Sequence, residues 1–170
     1  MDTAKLVALL AHSEQSLQQV YGVGNARGTR LPLIQVPTTA GTGSEVTPIA
    51  IVTTGETTKM GVVAPQLLPD LALLDATLTT GLPAPVTAAT GIDAMVHAIE
   101  AYTSKLRKNP YSDMLAKQAL SLLSANIFTA VKQPDNLDAR SNMLLGAMLA
   151  GQAFANAPVA AVHALAYPLG

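Results

Sequence analysis

Three polar side chains interrupt an otherwise apolar stretch, Gly91-Ile92-Asp93-Ala94-Met95-Val96-His97-Ala98-Ile99-Glu100-Ala101-Tyr102. Asp93, His97 and Glu100 stand at i, i+4 and i+7, which on a helix is one stripe on one face. A helix this apolar is buried nearly all round. An ionised carboxylate buried there without a cation, donors or a metal is very costly. Asp93 and His97, one turn apart, have the donor types and spacing to share one divalent ion. A buried Asp–His hydrogen bond or ion pair uses the same spacing, and spacing alone leaves both readings open. His163 is another lone imidazole in an apolar run, Ala160-Ala161-Val162-His163-Ala164-Leu165-Ala166. Such a His is commonly a hydrogen-bonded core residue. Joined to Asp93 and His97, it would complete a one-carboxylate, two-histidine set that suits Fe2+ or Zn2+ with coordination positions left open. His12 ends a helix among polar residues and reads as solvated. The chain has no cysteine, so any metal rests on His, Asp or Glu, and there is no disulfide framework.

A second segment, Pro37-Thr38-Thr39-Ala40-Gly41-Thr42-Gly43-Ser44-Glu45, gathers hydroxyls, glycines and backbone N–H groups. These can hold a phosphate or a nicotinamide ribose. The segment matches neither the GxGxxG fingerprint nor a P-loop, and an ordinary Gly/Thr turn has the same composition.

The elements that would position these groups fall into two halves. Residues 2–12 read as a helix with Asp2 in its first turn. Residues 13–30 are polar and largely loop, with one helical turn at 16–21. The run LPLIQV at 31–36, stopped by Pro37, reads as a buried strand. Residues 47–54 and 59–63 are β-like runs around Gly55-Glu56-Thr57-Thr58, a hairpin pattern, and LALLD at 71–75 is a further short strand. Gly81-Leu82-Pro83-Ala84-Pro85 then breaks the chain. Beyond it the pattern is helical: 86–104, 111–125 behind Pro110, 138–155, and a short helix at 158–166. The expectation is an α/β part over residues 1–81 followed by an all-helical part over 82–170.

Composition limits the classes of partner. The net charge is -1 with 12% charged residues and no Lys/Arg cluster, which gives nucleic acid or an anionic membrane nothing to bind. No stretch approaches the ~18 continuous apolar residues of a membrane span. Met1-Asp2-Thr3-Ala4-Lys5 lacks a basic signal-peptide start and the apolar run at 6–11 is short, so the location expected is cytoplasmic. A mean hydropathy of +0.34 is high for a free-standing domain. It implies covered surface, as in a homo-oligomer (dimer or larger), or an incomplete chain.

Taken together, these segments resemble the iron-containing (group III) alcohol dehydrogenase family. The stretches that carry the resemblance are PTTAGTGSEVTPIAIVT (37–53), LLDATLTTGLP (73–83), ATGIDAMVHAIEAYTS (89–104) and AFANAPVAAVHALAYPLG (153–170), with the helix MDTAKLVALL before them. The resemblance implies a Rossmann-like dinucleotide-binding domain, of which residues 1–81 are a remnant, and a helical metal-binding domain. It also implies one divalent metal, Fe2+ ahead of Zn2+, and NAD or NADP as the cofactor. By the same resemblance Asp93, His97 and His163 are metal ligands. Thr38, Thr39, Thr42, Thr47 and Lys59 match cofactor-contacting positions. The implied reaction is reversible hydride transfer between a small alcohol and nicotinamide, with the metal as Lewis acid.

Three departures from the family pattern bear on this reading. The family's Gly-rich pyrophosphate loop would precede Met1, and a fourth ligand, a His in a Pro-His-Gly segment, would follow Gly170. The chain is therefore expected to be an internal piece lacking both ends. Tyr167 stands where the family usually has a second His near the substrate. A phenol there donates a hydrogen bond but cannot become a cation, which makes Tyr167 the candidate catalytic side chain. The competing readings are an inactive remnant or interaction module of the same fold, and a zinc glycerol-type dehydrogenase.

Overall fold

A computed structural model describes residues 1–55, 58–105 and 107–158. It has a small α/β part followed by a helical region, as the residue pattern predicts. By contacts the chain divides into two units: Met1–Val36 with Ser44–Leu73, and Pro37–Gly43 with the described residues from Leu74 onward. The sequence break at Gly81-Leu82-Pro83 lies inside the second unit.

In the first unit, helix α1 (Asp2–Leu10) buries Leu6, Ala8 and Leu9 together with the charged Lys5. A single turn α2 (Leu17–Val20) follows, closed at its start by a capping box between Ser16 and Gln19. Strands β3 (Ile49–Thr54) and β4 (Thr58–Val63) pair antiparallel from Ile49↔Val63 to Thr54↔Thr58. Gly55 between them takes a φ of 68°. A two-residue strand β1 (Gly22–Val23) adds parallel to β4, giving the order β1-β4-β3. Leu6, Leu9, Val20, Ala50, Val62, Ala64 and Leu67 form the core beneath this sheet.

The apolar runs at 31–36 and 71–75 contribute less strand than expected. Only β2 (Ile34–Gln35) and β5 (Leu71–Ala72) pair, in parallel. Proline has no N–H to donate to a ladder, and Pro32 and Pro37 flank β2. Arg30 ties the two runs together from outside, its guanidinium donating to Asp70 Oδ2 at 2.7 Å and Oδ1 at 2.8 Å. That bidentate bond, with the Leu33 N–H, holds the Asp70 carboxyl down to about 2.

The second unit is three long helices, α3 (Ala84–Thr103), α4 (Pro110–Lys132) and α5 (Leu137–Asn156). The three helices expected at 86–104, 111–125 and 138–155 are present there, and α4 runs seven residues past its expected end at 125. The starts are set by side chains. Asn109 Oδ1 accepts from Ser112 N at 2.9 Å and Ser112 Oγ accepts from Asn109 N at 3.2 Å, ahead of Pro110. Asn136 Oδ1 accepts from Ala139 N at 3.0 Å. The core between the helices is mostly alanine, with Leu115, Leu123, Met143 and Leu144 filling the larger gaps.

Such small residues bring the backbones close. A Cβ on Gly146 would stand 2.8 Å from Leu123 Cγ, and one on Gly91 would stand 2.7 Å from Met143 Cε. Arg140, buried on α5, donates to Thr87 Oγ1 of α3 at 2.9 Å and to the Pro134 carbonyl at 2.9 Å. Among the described residues α4 alone is long and apolar enough to cross a membrane. It buries Leu115, Ala116, Ala119, Leu123 and Ala130 within the second unit and leaves Tyr111, Met114 and Phe128 exposed. The short helix expected at 158–166 lies outside the described residues, apart from its first position.

Candidate active site

The long helix α3 presents its buried side through Thr87, Gly91, Ala94, His97, Ala98 and Ala101, a 3.6-residue spacing that fixes which way His97 faces. His97 is 9% exposed and its ring lies 5.2 Å from that of Phe154 on α5, inclined by 51°. Asp93, one turn earlier, is half-buried, and Glu100 is buried. A carboxylate oxygen and an imidazole nitrogen one turn apart, at the border of a close-packed helical core, fit a divalent ion of borderline hardness. Among the described residues no three His, Asp or Glu side chains gather into a metal-sized group. His163 and Tyr167 lie outside the described residues.

The threonine loop belongs to this same unit. A Cβ on Gly41 would stand 2.9 Å from Thr90 Cβ, so the loop is seated on α3 one turn before Asp93. At its other end Gly43 takes a φ of 59°, and a Cβ there would come within 2.6 Å of Gly151 Cα on α5. Only glycine satisfies both conditions. Ala40 is buried with the helical core, which leaves Thr38 and Thr42 exposed and Thr39 half-buried. Three of the cofactor candidates and two of the metal candidates thus belong to one unit.

Thr47 and Lys59 lie in the first unit. Lys59 is exposed on β4 opposite Thr53. Thr47 is buried, and its hydroxyl is engaged inside the protein. It accepts from Lys5 Nζ at 3.3 Å and donates to the Ser44 carbonyl at 3.4 Å.

The sequence reading missed the group around Lys5. This side chain is fully buried, and its ammonium donates to the Thr47 carbonyl at 2.7 Å and the Ile49 carbonyl at 2.8 Å. Burial lowers its pKa to about 8, against the opposing pull of the Asp2 and Glu45 carboxylates. Glu45 is 3% exposed and its pKa is raised, first by burial, with its own backbone N–H and Lys5 acting the other way. Asp2 accepts from Ser44 Oγ and, at 2.8 Å, from the Ile51 N–H. The only signal available was an Asp and a Lys three residues apart at the start of an apolar helix.

Two family models match the chain: "Iron-containing alcohol dehydrogenase" over residues 1–76 and "Fe-containing alcohol dehydrogenase family, C-terminal" over residues 87–170. Long-chain-alcohol dehydrogenase 1 of Geobacillus thermodenitrificans is 49% identical over 176 residues, covering 100% of this chain and 43% of that protein. Among solved structures, 1,3-propanediol oxidoreductase is similar with a TM-score of 0.94 at 42% identity, over 99% of this chain and 44% of that one. Sulfoacetaldehyde reductase from Bifidobacterium kashiwanohense, solved in complex with NAD+, is similar with a TM-score of 0.91 at 35% identity, over 99% and 45%. The chain therefore spans less than half the length of the relatives it matches.

Proposed function

The chain belongs to the iron-containing alcohol dehydrogenase family, and from that premise we propose that it serves NAD-linked oxidoreduction of a small alcohol and its aldehyde or ketone in the cytoplasm. Residues 1–81 serve the cofactor-binding half and residues 82–170 the metal-binding half. The observation that carries the reading is the seating of the threonine loop on α3 at Thr90, one turn from the Asp93/His97 pair.

In this reading Asp93 and His97 hold a divalent ion, ferrous iron ahead of zinc, with His163 as the third ligand. Such an ion supplies the Lewis acidity that eases loss of the alcohol's proton or polarises a carbonyl. Thr38, Thr39 and Thr42 offer hydroxyls and backbone N–H groups to the dinucleotide, NAD ahead of NADP, and the Lys59 ammonium offers charge to its phosphates. Thr47 keeps its place in the cofactor set through the chain it anchors, since its hydroxyl is already bonded within the protein. Tyr167 donates a hydrogen bond to the substrate oxygen. Packing of α3 against Phe154 keeps water from the inner side of His97.

The test is metal content and NADH binding of the purified chain, followed by aldehyde-dependent NADH oxidation. His97→Ala and Asp93→Asn are expected to lower bound iron at least tenfold and to abolish turnover. Iron content unchanged in both variants would remove the metal assignment, and with it the proposed chemistry.

A further inference from the structure

A fully buried lysine is expensive, because an ammonium leaves water for three acceptors and an apolar side chain of similar volume would avoid that loss. The Lys5 ammonium spends its donors on one short stretch of chain: the Thr47 carbonyl, the Thr47 hydroxyl and the Ile49 carbonyl. One turn earlier on the same helix, the Asp2 carboxylate holds Ser44 Oγ and the Ile51 N–H. Two charged side chains of α1 thus fix the stretch from Ser44 to Ile51, where β3 begins. β3 in turn sets the register of β4 through six pairs, one of which places Lys59 opposite Thr53. The first turns of α1 therefore govern where Thr47 sits and where the β3–β4 pair carries Lys59.

We infer that Lys5 is a positioning residue for the dinucleotide: by clamping the start of β3 it sets the geometry of Thr47 and Lys59, so cofactor affinity depends on a side chain that never touches the cofactor. The inference rests on the proposed dehydrogenase reading. The groups facing Lys5 are Asp2 from its own helix and Glu45 from the Ser44–Val46 turn, together with the three oxygens it bonds. A Lys5 released to water would keep its proton up to about 10.5 and the buried one only to about 8, so the clamped form gains on any released form as pH rises through that window.

The experiment is NADH titration of the full chain, followed by nicotinamide fluorescence, for wild type, Lys5→Met and Asp2→Asn. Iron uptake is measured in parallel. The expected result is NADH binding at least tenfold weaker in Lys5→Met and severalfold weaker in Asp2→Asn, with iron uptake kept. Wild-type affinity should rise as pH rises from 8 to 10, and the Lys5→Met profile should be flat over that range, which a merely structural role would not produce. Should Lys5→Met fail to fold, Asp2→Asn and the wild-type pH profile still decide. Wild-type binding with unchanged affinity in both variants, or with no pH dependence, would overturn the inference and leave the dehydrogenase reading standing. No NADH binding by wild type, under conditions where it takes up iron, would overturn both.

Discussion

Adding one methyl group at Gly43 should test how the threonine loop is held. Two costs add. Gly43 has a φ of 59°, and a residue with a Cβ in that region costs roughly 1–2 kcal/mol. The new Cβ would also stand 2.6 Å from Gly151 Cα, 3.1 Å from Gly151 N and 3.2 Å from the Ala147 carbonyl oxygen. All three are backbone atoms of α5, which cannot swing aside, and overpacking of this kind costs about 1–3 kcal/mol. The sum is about 2–5 kcal/mol, a large share of the ~5–15 kcal/mol by which a domain is stable. Gly55→Ala is the matched control: its φ is 68° and no atom of the described residues lies within 4 Å of the added Cβ, so it reports the backbone cost alone. Equilibrium urea unfolding followed by the helical circular dichroism signal measures both. Gly43→Ala should exceed Gly55→Ala by about 1–3 kcal/mol. Equal costs at the two positions would refute the seating of the loop on α5.

Two further outcomes follow from side chains described above. Asn109→Ala removes the acceptor at the start of α4 and should cost ~1 kcal/mol in the same unfolding assay, with Asn109→Ser recovering most of it. Lys5 has a folded pKa of about 8 against an ordinary 10.5. The unfolded chain thus holds the extra proton between those values, and the stability contributed by this group rises with pH across that window. The buried charge costs about 3 kcal/mol at neutral pH, at ~1.36 kcal/mol for each pKa unit. The stability of wild type minus that of Lys5→Met should rise by up to this amount between pH 7.5 and 10.5. A difference independent of pH would show that Lys5 is not charged and buried in the folded chain.

The helical half was legible because its signals are local. Asn109-Pro110 announces α4, and the i, i+4, i+7 stripe of Asp93, His97 and Glu100 lies within a single helix. The expected stop of α4 at 125 failed because Ile127, Ala130 and Val131 continue the apolar spacing until Gln133-Pro134, and a residue before proline resists the helical conformation. The strands were overestimated because apolar runs at 31–36 and 71–75 do not reveal how many N–H groups find partners. Asp75 diverts the second run, accepting from the N–H and hydroxyl of Thr77 to start a tight turn. The Lys5 clamp was invisible for a different reason. Its acceptors are Thr47 and Ile49, far along the chain, and two of the three are backbone carbonyls that leave no mark in residue type. Asp93 and His97 were found as a pair, but their neighbour Thr90, on which the loop rests, gave no sign of that role.

The chain leaves the first unit at Val36, contributes Pro37–Gly43 to the helical one, and returns at Ser44. No single cut therefore separates the two. A piece beginning at Leu74 would lose seven residues that complete its own packing, Ala40 and Gly43 among them. The helices would have to receive that segment in trans, or through a rejoined order of the chain, before they could be studied alone.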